Sequence, residues 1–400
     1  MTTIAYDMFH DITPLDPEAR RRRVARFGAY LEIATQPALF MLPVIVTALP
    51  AKFHIGPLEI AQLSFATIGM ITASNLIFAP LTRHASWFWV ALLSCVLMLG
   101  GNVACALSAN YVTLLIGCAI ASVGNGLLTS IGASAIALSG QPGKYFAAAY
   151  FGIAVTGVAF FTLSPFFLHL FGWQAIFVAM AAAIAPGFAF LRILPQRSHK
   201  RDPVADPVAH KAAHGRISKV AFVLALAGQF SLYGGLQLML TYSVAYGIML
   251  HLSADFATYA LGGTSLCCVL GSFLSGRLVR LGPALGGSLG AGACFTGLLI
   301  LLSLPSRPFP ELLFIAGLAG VNFGWNFSLP FLLGRTAQMD ASGASSAFAM
   351  GMVNAGGAVV PFAVVPFIEH ADLHVVVAAA ALLVGLGAVA VFPLNRLRPT

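Results

Sequence analysis

The sequence predicts an all-α integral membrane protein whose twelve transmembrane helices form two six-helix halves, with both termini cytoplasmic. Three observations carry that expectation: a charge-poor composition, twelve apolar runs of helix length, and a one-sided distribution of basic residues. Of the 400 residues, 59% are hydrophobic and 8% charged, against roughly 25% charged in an ordinary soluble protein. So small a charged fraction cannot cover the surface of a water-soluble chain of this length. The 40 glycines agree, because glycine is commoner in membrane helices than in soluble ones.

A helix needs about 20 mainly apolar residues to cross the hydrocarbon core. Such runs fall at residues 27–49, 60–82, 87–107, 111–138, 145–170, 172–193, 219–248, 255–276, 282–304, 311–334, 343–368 and 373–394, numbered below as spans one to twelve. The alternating segments of about ten residues that a membrane barrel needs are absent. Residues 1–26 are expected to form a cytoplasmic segment; they lack the apolar core of a cleavable leader. The polar stretch 195–218 separates a six-helix bundle at 27–194 from a second at 219–394, and 395–400 form a short cytoplasmic tail. A central linker of this kind is typical of transporters built from two repeated sets of helices.

Basic residues set the orientation, because cytoplasmic loops carry the excess. With an even number of spans, 19 of the 21 basic residues fall on one side. They are Arg20 to Arg23, Arg26, Arg83, Lys144, Arg192, Arg197, Lys200, Arg201, Lys211, Arg216, Lys219, Arg277, Arg280, Arg335, Arg396 and Arg398. Only Lys52 and Arg307 fall on the other. One miscounted span in mid-chain would destroy this bias, so it supports the count as well as the topology.

The formal net charge of +8 does not imply a nucleic-acid partner, since the basic residues form no continuous face. Cys95, Cys105, Cys118, Cys267, Cys268 and Cys294 all fall inside apolar runs without zinc-finger spacing. They read as small buried hydrophobes. His210 and His214 in the linker, and His370 and His374 among carboxylates before span twelve, read as solvated loop residues rather than ligands. No metal and no cofactor are expected.

Several segments resemble the major facilitator superfamily, across nearly the whole chain. The end of span five into span six, Phe171-Gly172-Trp173-Gln174-Ala175-Ile176-Phe177, is similar to that family's Gly-Trp-Arg-x-x-Phe junction. Asn322-Phe323-Gly324 through Pro330, then Asp340 and Gly343, then Asn354, Gly356, Gly357 and Pro361 follow its order of glycine-rich helix, acidic-glycine loop and asparagine-glycine helix. The family's Asp-Arg loop signature is degenerate. Thr82 precedes Arg83 after span two, and Val279 precedes Arg280 after span eight. The resemblance makes Arg83, Arg280 and Asp340 the gating candidates, without the family's usual carboxylate latch. Span five carries Gly152, Gly157 and Ser164-Pro165 rather than the Gly-Pro-x-x-Gly-Gly pattern of family drug exporters.

Within the spans, Glu32 is the one carboxylate clearly inside a predicted helix. Charges in membrane helices are costly and mark ion or substrate pathways, so Glu32 is the candidate for proton coupling; pairing with Arg26 near the cytoplasmic mouth is the alternative. Gln36, four residues on, is expected on the same helical face. In the resembled fold, spans one, four, seven and ten line a central cavity. Span seven places Gln229, Tyr233 and Gln237 on one stripe, span ten carries Asn322, Trp325 and Asn326, and span four Asn125 and Thr129. Amides at such positions recognise a solute by hydrogen bonds and aromatics give it an apolar face; the alternative for each is an interhelical hydrogen bond. Gly320 and Gly324 form a spacing for close helix approach. The intraspan prolines Pro37, Pro43, Pro165, Pro186, Pro330, Pro361 and Pro366 are expected to kink their helices.

These observations point to a secondary active transporter of the cell membrane, working by alternating access and coupled to protons. Its expected partners are a small organic solute, protons and the bilayer, and it is expected to be a monomer. The solute is expected to be neutral, weakly acidic or amphipathic, because no lysine or arginine lies well inside a span. A proton-driven exporter of drugs or metabolites is the alternative within transport, and a sensor that binds without flux is the alternative of another class. The chain carries no His-Glu-x-x-His, Gly-x-Ser-x-Gly or nucleotide-binding Gly-x4-Gly-Lys-Ser/Thr motif, so an enzyme is not expected.

Overall fold

A computed structural model describes residues 17–40, 49–53, 55, 59, 62–63, 65–195, 219–304, 308–339, 343–368 and 373–391. Among them every regular element is helical, and eleven helices are long and apolar enough to cross a membrane. These eleven correspond to spans two to twelve. Span one begins as the helix Pro17–Thr35 and continues toward residues 41–48, which lie outside the described residues. Most of the linker, the C-terminal tail, Asp340, His210, His214 and His370 also lie outside them.

Helix ends fall where local chemistry satisfies the free backbone groups. Span four, Tyr111–Ala137, starts at Asn110, whose Oδ1 accepts from Thr113 N–H at 2.9 Å. Span eight starts at Ser253, whose Oγ accepts from Phe256 N–H at 3.1 Å. Span five, Pro142–Phe171, opens with proline in its first turn and closes on Gly172 at φ 72°, a left-handed position that suits glycine.

The prolines divide into two groups. Pro37 follows the end of the helix Pro17–Thr35, and Pro186 separates Gln174–Ile184 from Gly187–Phe190 in span six. Pro165, Pro330 and Pro361 instead stand inside the continuous helices Pro142–Phe171, Pro310–Ala337 and Ala344–Ile368. At these three the helix runs on through the proline. A membrane helix tolerates a proline when neighbouring groups take over the freed carbonyl.

Spans one to six pack mainly on one another, with span four against spans one, two and three. In the second set, span seven packs on eleven and twelve, and span nine on ten. Spans two, four and five meet spans eight, ten and eleven of the second set. A single apolar core joins the two sets, running from Ala133, Phe146 and Tyr150 to Trp325, Met350 and Val353. Leucine, valine and phenylalanine side chains such as Leu93, Ile116, Phe166, Leu289 and Val389 point outward, as a lipid-facing surface requires. The six cysteines are free; Cys267 and Cys268 are half-buried and the other four buried.

Span nine, Gly282–Ser303, packs along much of its length against span ten. A Cβ at Gly290 would lie 2.6 Å from the Gly324 carbonyl oxygen, and one at Gly297 would lie 2.5 Å from that of Gly317. One at Gly324 would collide with the Cys294 backbone nitrogen. Backbones this close gain dispersion contact over their whole length, which is the main attraction available between helices in lipid. Gly324→Val is therefore expected to cost about 1–3 kcal/mol, the usual range for overpacking. Gly292→Val, with nothing within 4 Å of its Cβ position, is the control. Thermal unfolding in detergent reads both, and equal midpoints would refute this account of the pair.

Candidate functional site

Span one is interrupted at Gln36. Its helix ends at Thr35, turns at Gln36 and resumes as Pro37–Phe40. Proline has no N–H to offer the preceding turn, and its ring crowds that turn. Leu39 N–H bonds to the Gln36 carbonyl at 2.9 Å, so the Thr35 carbonyl loses its helical donor. Asn125 of span four replaces it, its Nδ2 donating to Thr35 O at 2.7 Å. Thr129 in turn donates to the Asn125 carbonyl at 3.0 Å. The break also corrects the expectation that Gln36 continues the helical face of Glu32: Gln36 lies in the turn, half-buried.

Glu32 is fully buried, at 0% exposure, one turn before the break. Neither of its carboxyl oxygens has a hydrogen-bond partner among the described residues, and Arg26 on the same helix is exposed. Space for the carboxyl comes from span four. A Cβ at Gly132 would sit 3.0 Å from Glu32 Oε1, and one at Gly28 would sit 2.8 Å from the Gly132 carbonyl oxygen. The two glycines let the backbones approach, and the acid fills the space they leave.

Tyr150 of span five, which sequence reasoning did not single out, lies between the two sets of helices. It is buried and its hydroxyl donates to Met350 Sδ of span eleven at 3.8 Å. The Tyr233 ring of span seven tilts against Trp325 of span ten, centroids 4.8 Å apart. The polar character of Tyr150 in an apolar span was visible in the sequence, but its direction was not.

The other candidates are placed as follows. Gln229 is buried, with Oε1 unpartnered among the described residues; Gln237, two turns on in the continuous helix Lys219–Met249, is half-buried. Asn322 donates from Nδ2 to Thr264 Oγ1 at 3.1 Å, and Asn326 accepts from Ser272 Oγ at 3.4 Å. Both amides therefore face span eight, in the interhelical arrangement that was their alternative reading. A pocket of about 440 Å³, including its open mouth, lies beside the break within the first six spans. Thr35, Thr67, Asn102, Ser122 and Asn125 give it polar groups, and Phe177 and Met180 an apolar wall.

Spans five and ten meet at the end of the bundle that bears Arg83, Arg192, Arg277, Arg280 and Arg335. Here a Cβ at Gly334 would lie 3.0 Å from Gly143 Cα. Nearby, Ser134 Oγ donates to the Gly343 carbonyl at 3.1 Å. Arg83 ends a 3-10 turn, Ala79–Arg83, and Arg280 is exposed. Thr82, where the resembled family has aspartate, is fully buried. Its hydroxyl donates to Ala79 O at 2.7 Å, and its carbonyl accepts from Trp87 Nε1 at 2.8 Å. That position is locked by neutral hydrogen bonds.

The sequence model of the Major Facilitator Superfamily matches residues 29–361. No curated protein matches the chain. Among solved structures it is similar to the superfamily's proton:xylose symporter XylE bound to 6-bromo-6-deoxy-D-glucose, at 13% identity over 92% of this chain and 94% of that one, with a TM-score of 0.72. It is also similar to the superfamily transporter FucP in the outward conformation, at 15% identity over 94% and 97%, with a TM-score of 0.70. A variant of the E. coli fucose:proton symporter FucP matches at 14% identity over 93% and 97%, with a TM-score of 0.70. Identities this low establish a common fold.

Removing the amide that caps the break leaves a buried carbonyl unsatisfied. Asn125→Ala is expected to lower stability by on the order of 1 kcal/mol, visible as a lower midpoint of thermal unfolding. An unchanged midpoint would show that water or another donor takes its place.

Proposed function

Because the chain belongs to the Major Facilitator Superfamily, a family of multi-pass membrane transporters, we propose that it is a proton-coupled secondary transporter of a small neutral, weakly acidic or amphipathic organic solute. Its six-helix halves, 27–194 and 219–394, rock about a central site in the cell membrane. The observation that carries the proton coupling is the state of Glu32, an acid with 0% exposure and no partner for either oxygen among the described residues. An isolated charge in such surroundings is too costly to hold. The acid therefore travels through this conformation neutral and gives up its proton only when water or a cation reaches it. That exchange is what a proton carrier must do.

The solute site is assigned to the faces around that acid: Gln36 at the break, Asn125 and Thr129 in span four, Gln229, Tyr233 and Gln237 in span seven, and Trp325 in span ten. Asn322 and Asn326 belong to the same wall through their contacts with Thr264 and Ser272. Gating is assigned to Arg83 and Arg280 at the basic end, and to Asp340. Proton symport of sugars by the similar transporters supports a coupled uptake reading and leaves the solute to be found.

Glu32→Gln keeps the size and neutral polarity of the protonated acid and cannot release a proton. It is expected to abolish pH-gradient-driven accumulation in proteoliposomes while leaving solute affinity within a few-fold; accumulation at the parent rate would sink the coupling. The solute itself is sought by thermal stabilisation of the purified protein across sugars, aromatic acids, amino acids, short peptides and amphipathic cations. A true ligand at 100 times its Kd adds about 2.7 kcal/mol. Gln229→Ala combined with Gln237→Ala is expected to remove that shift, and a full shift in the double variant would place the site elsewhere.

A further inference from the structure

We propose that the basic end of spans one and six binds an anionic phospholipid, whose phosphate is held by Arg23, Arg26 and Arg192. The helix of span one starts at Pro17, ahead of the apolar run that begins at Phe27. At 3.6 residues per turn, Arg23, Arg26, Phe27 and Tyr30 share an arc of about 100° on this helix. Two contacts fix where the arc points. The Tyr30 hydroxyl donates to the Ala183 carbonyl of span six at 2.8 Å. The Phe27 ring tilts against Phe190 of span six, centroids 6.3 Å apart. The arc therefore faces span six, and Arg23 and Arg26 stand one turn before Phe27 and Tyr30 along it.

Span six brings the third charge to the same place. After Phe190 the chain tightens into the 3-10 turn Leu191–Ile193, which packs on the helix of span one. Leu191 and Leu194 join Val24, Phe27 and Leu31 in one buried cluster. The Pro195 carbonyl accepts from Phe88 N–H of span three at 3.2 Å. With its neighbours held inward, Arg192 is left on the outside. Arg23, Arg26 and Arg192 are all exposed. Arg22 pairs with Glu18 on its own helix, but among the described residues none of the other three has a carboxylate partner. Like charges gathered at one end repel, and an anion between them turns that repulsion into attraction. A guanidinium presents paired N–H donors that match two phosphate oxygens.

The surface beside these charges selects the kind of phosphate. Phe190, directly before the turn, and Trp89, at the start of span three, are both exposed. Span three packs on span six. Aromatic side chains at the end of a span sit at the level of the lipid headgroups. A free phosphate in water gains nothing from such rings, whereas a lipid phosphate brings acyl chains that cover them. Basic groups clustered between helices at the membrane surface suit anionic headgroups for the same reason.

The test compares unfolding midpoints of the purified full-length protein in a neutral detergent, each variant against its own lipid-free midpoint. Phosphatidylglycerol is expected to raise the midpoint. Phosphatidylcholine with the same chains and free glycerol phosphate, at equal concentration, are expected to leave it unchanged. Arg23→Gln combined with Arg192→Gln is expected to remove at least half of the shift. Lys144→Gln combined with Arg277→Gln, exposed positions at the same end, removes equal charge and is expected to keep it. Native mass spectrometry gives an independent reading, in which the first double variant retains one phosphatidylglycerol fewer than the parent. Equal losses in the two double variants would reduce the effect to a general attraction of the basic end and overturn the site. A shift with phosphatidylcholine would show that headgroup charge is not read, and one with glycerol phosphate that the chains are not. Either overturns the lipid assignment, as does the absence of any shift with phosphatidylglycerol.

Discussion

In a bilayer the decisive constraint is that a polar group must find its partner inside the protein, because the hydrocarbon offers none. Many of the buried groups described obey that constraint, and Glu32 and Gln229 are among the exceptions. The carbonyl exposed by the break at Pro37 is capped by Asn125. The amide of Asn322 is held by Thr264 and that of Asn326 by Ser272, and the Trp87 indole is bonded to Thr82. Glu32 is left with both oxygens unpartnered in a space cut to its size by Gly132. On the proposed reading, a group so costly to bury is one that the transport cycle loads and empties with a proton.

The same economy governs how the two sets of helices meet. Near the basic end the seam consists of Gly143 on Gly334, Ser134 on Gly343 and Leu76 on Gly351. Thr82 replaces the carboxylate that an ionic latch would need and is buried in neutral hydrogen bonds. Dispersion contacts fall away within about an ångström of separation. A buried ion pair instead resists parting until both charges are rehydrated. A seam of small residues therefore opens with a shallow barrier and depends on many weak contacts, so a single hydrogen bond such as that of Tyr150 weighs more in its balance.

How much of this could be read from the residues follows from which forces are local. The helical fold, eleven of the spans and the family resemblance were legible because length and apolarity act along the chain. The end of the helix before Pro37 was legible in the same way, since proline breaks its own turn. What the chain could not disclose was direction. Asn322 and Asn326 sit four apart in span ten and look like a solute-facing pair, yet both turn toward span eight, because Thr264 and Ser272 offer partners that only packing brings near. Gln36 falls off the face of Glu32 for a reason present in the sequence, the neighbouring proline, whose effect on helical phase the simple i, i+4 rule ignores. Tyr150 was hidden by its company: one tyrosine among aromatic residues, it reaches Met350 of span eleven only through packing.

These placements also narrow the solute. On the proposed reading, with Asn322, Asn326 and Asn125 already engaged, the polar groups left to greet a ligand are chiefly those of Gln36, Gln229 and Gln237. Beside them stand the rings of Tyr233 and Trp325, tilted together at 4.8 Å. A bare polyol needs many directed hydrogen bonds, because each hydroxyl left unpaired in a dry site costs free energy. Such a wall supplies few. It better suits a solute that offers one or two polar groups to the glutamines and an apolar or ring face to the aromatics. A weak acid carried in its neutral form would meet that description, and it would need no fixed cation; among the described residues none stands in spans four or seven beyond Lys219 at the start of span seven.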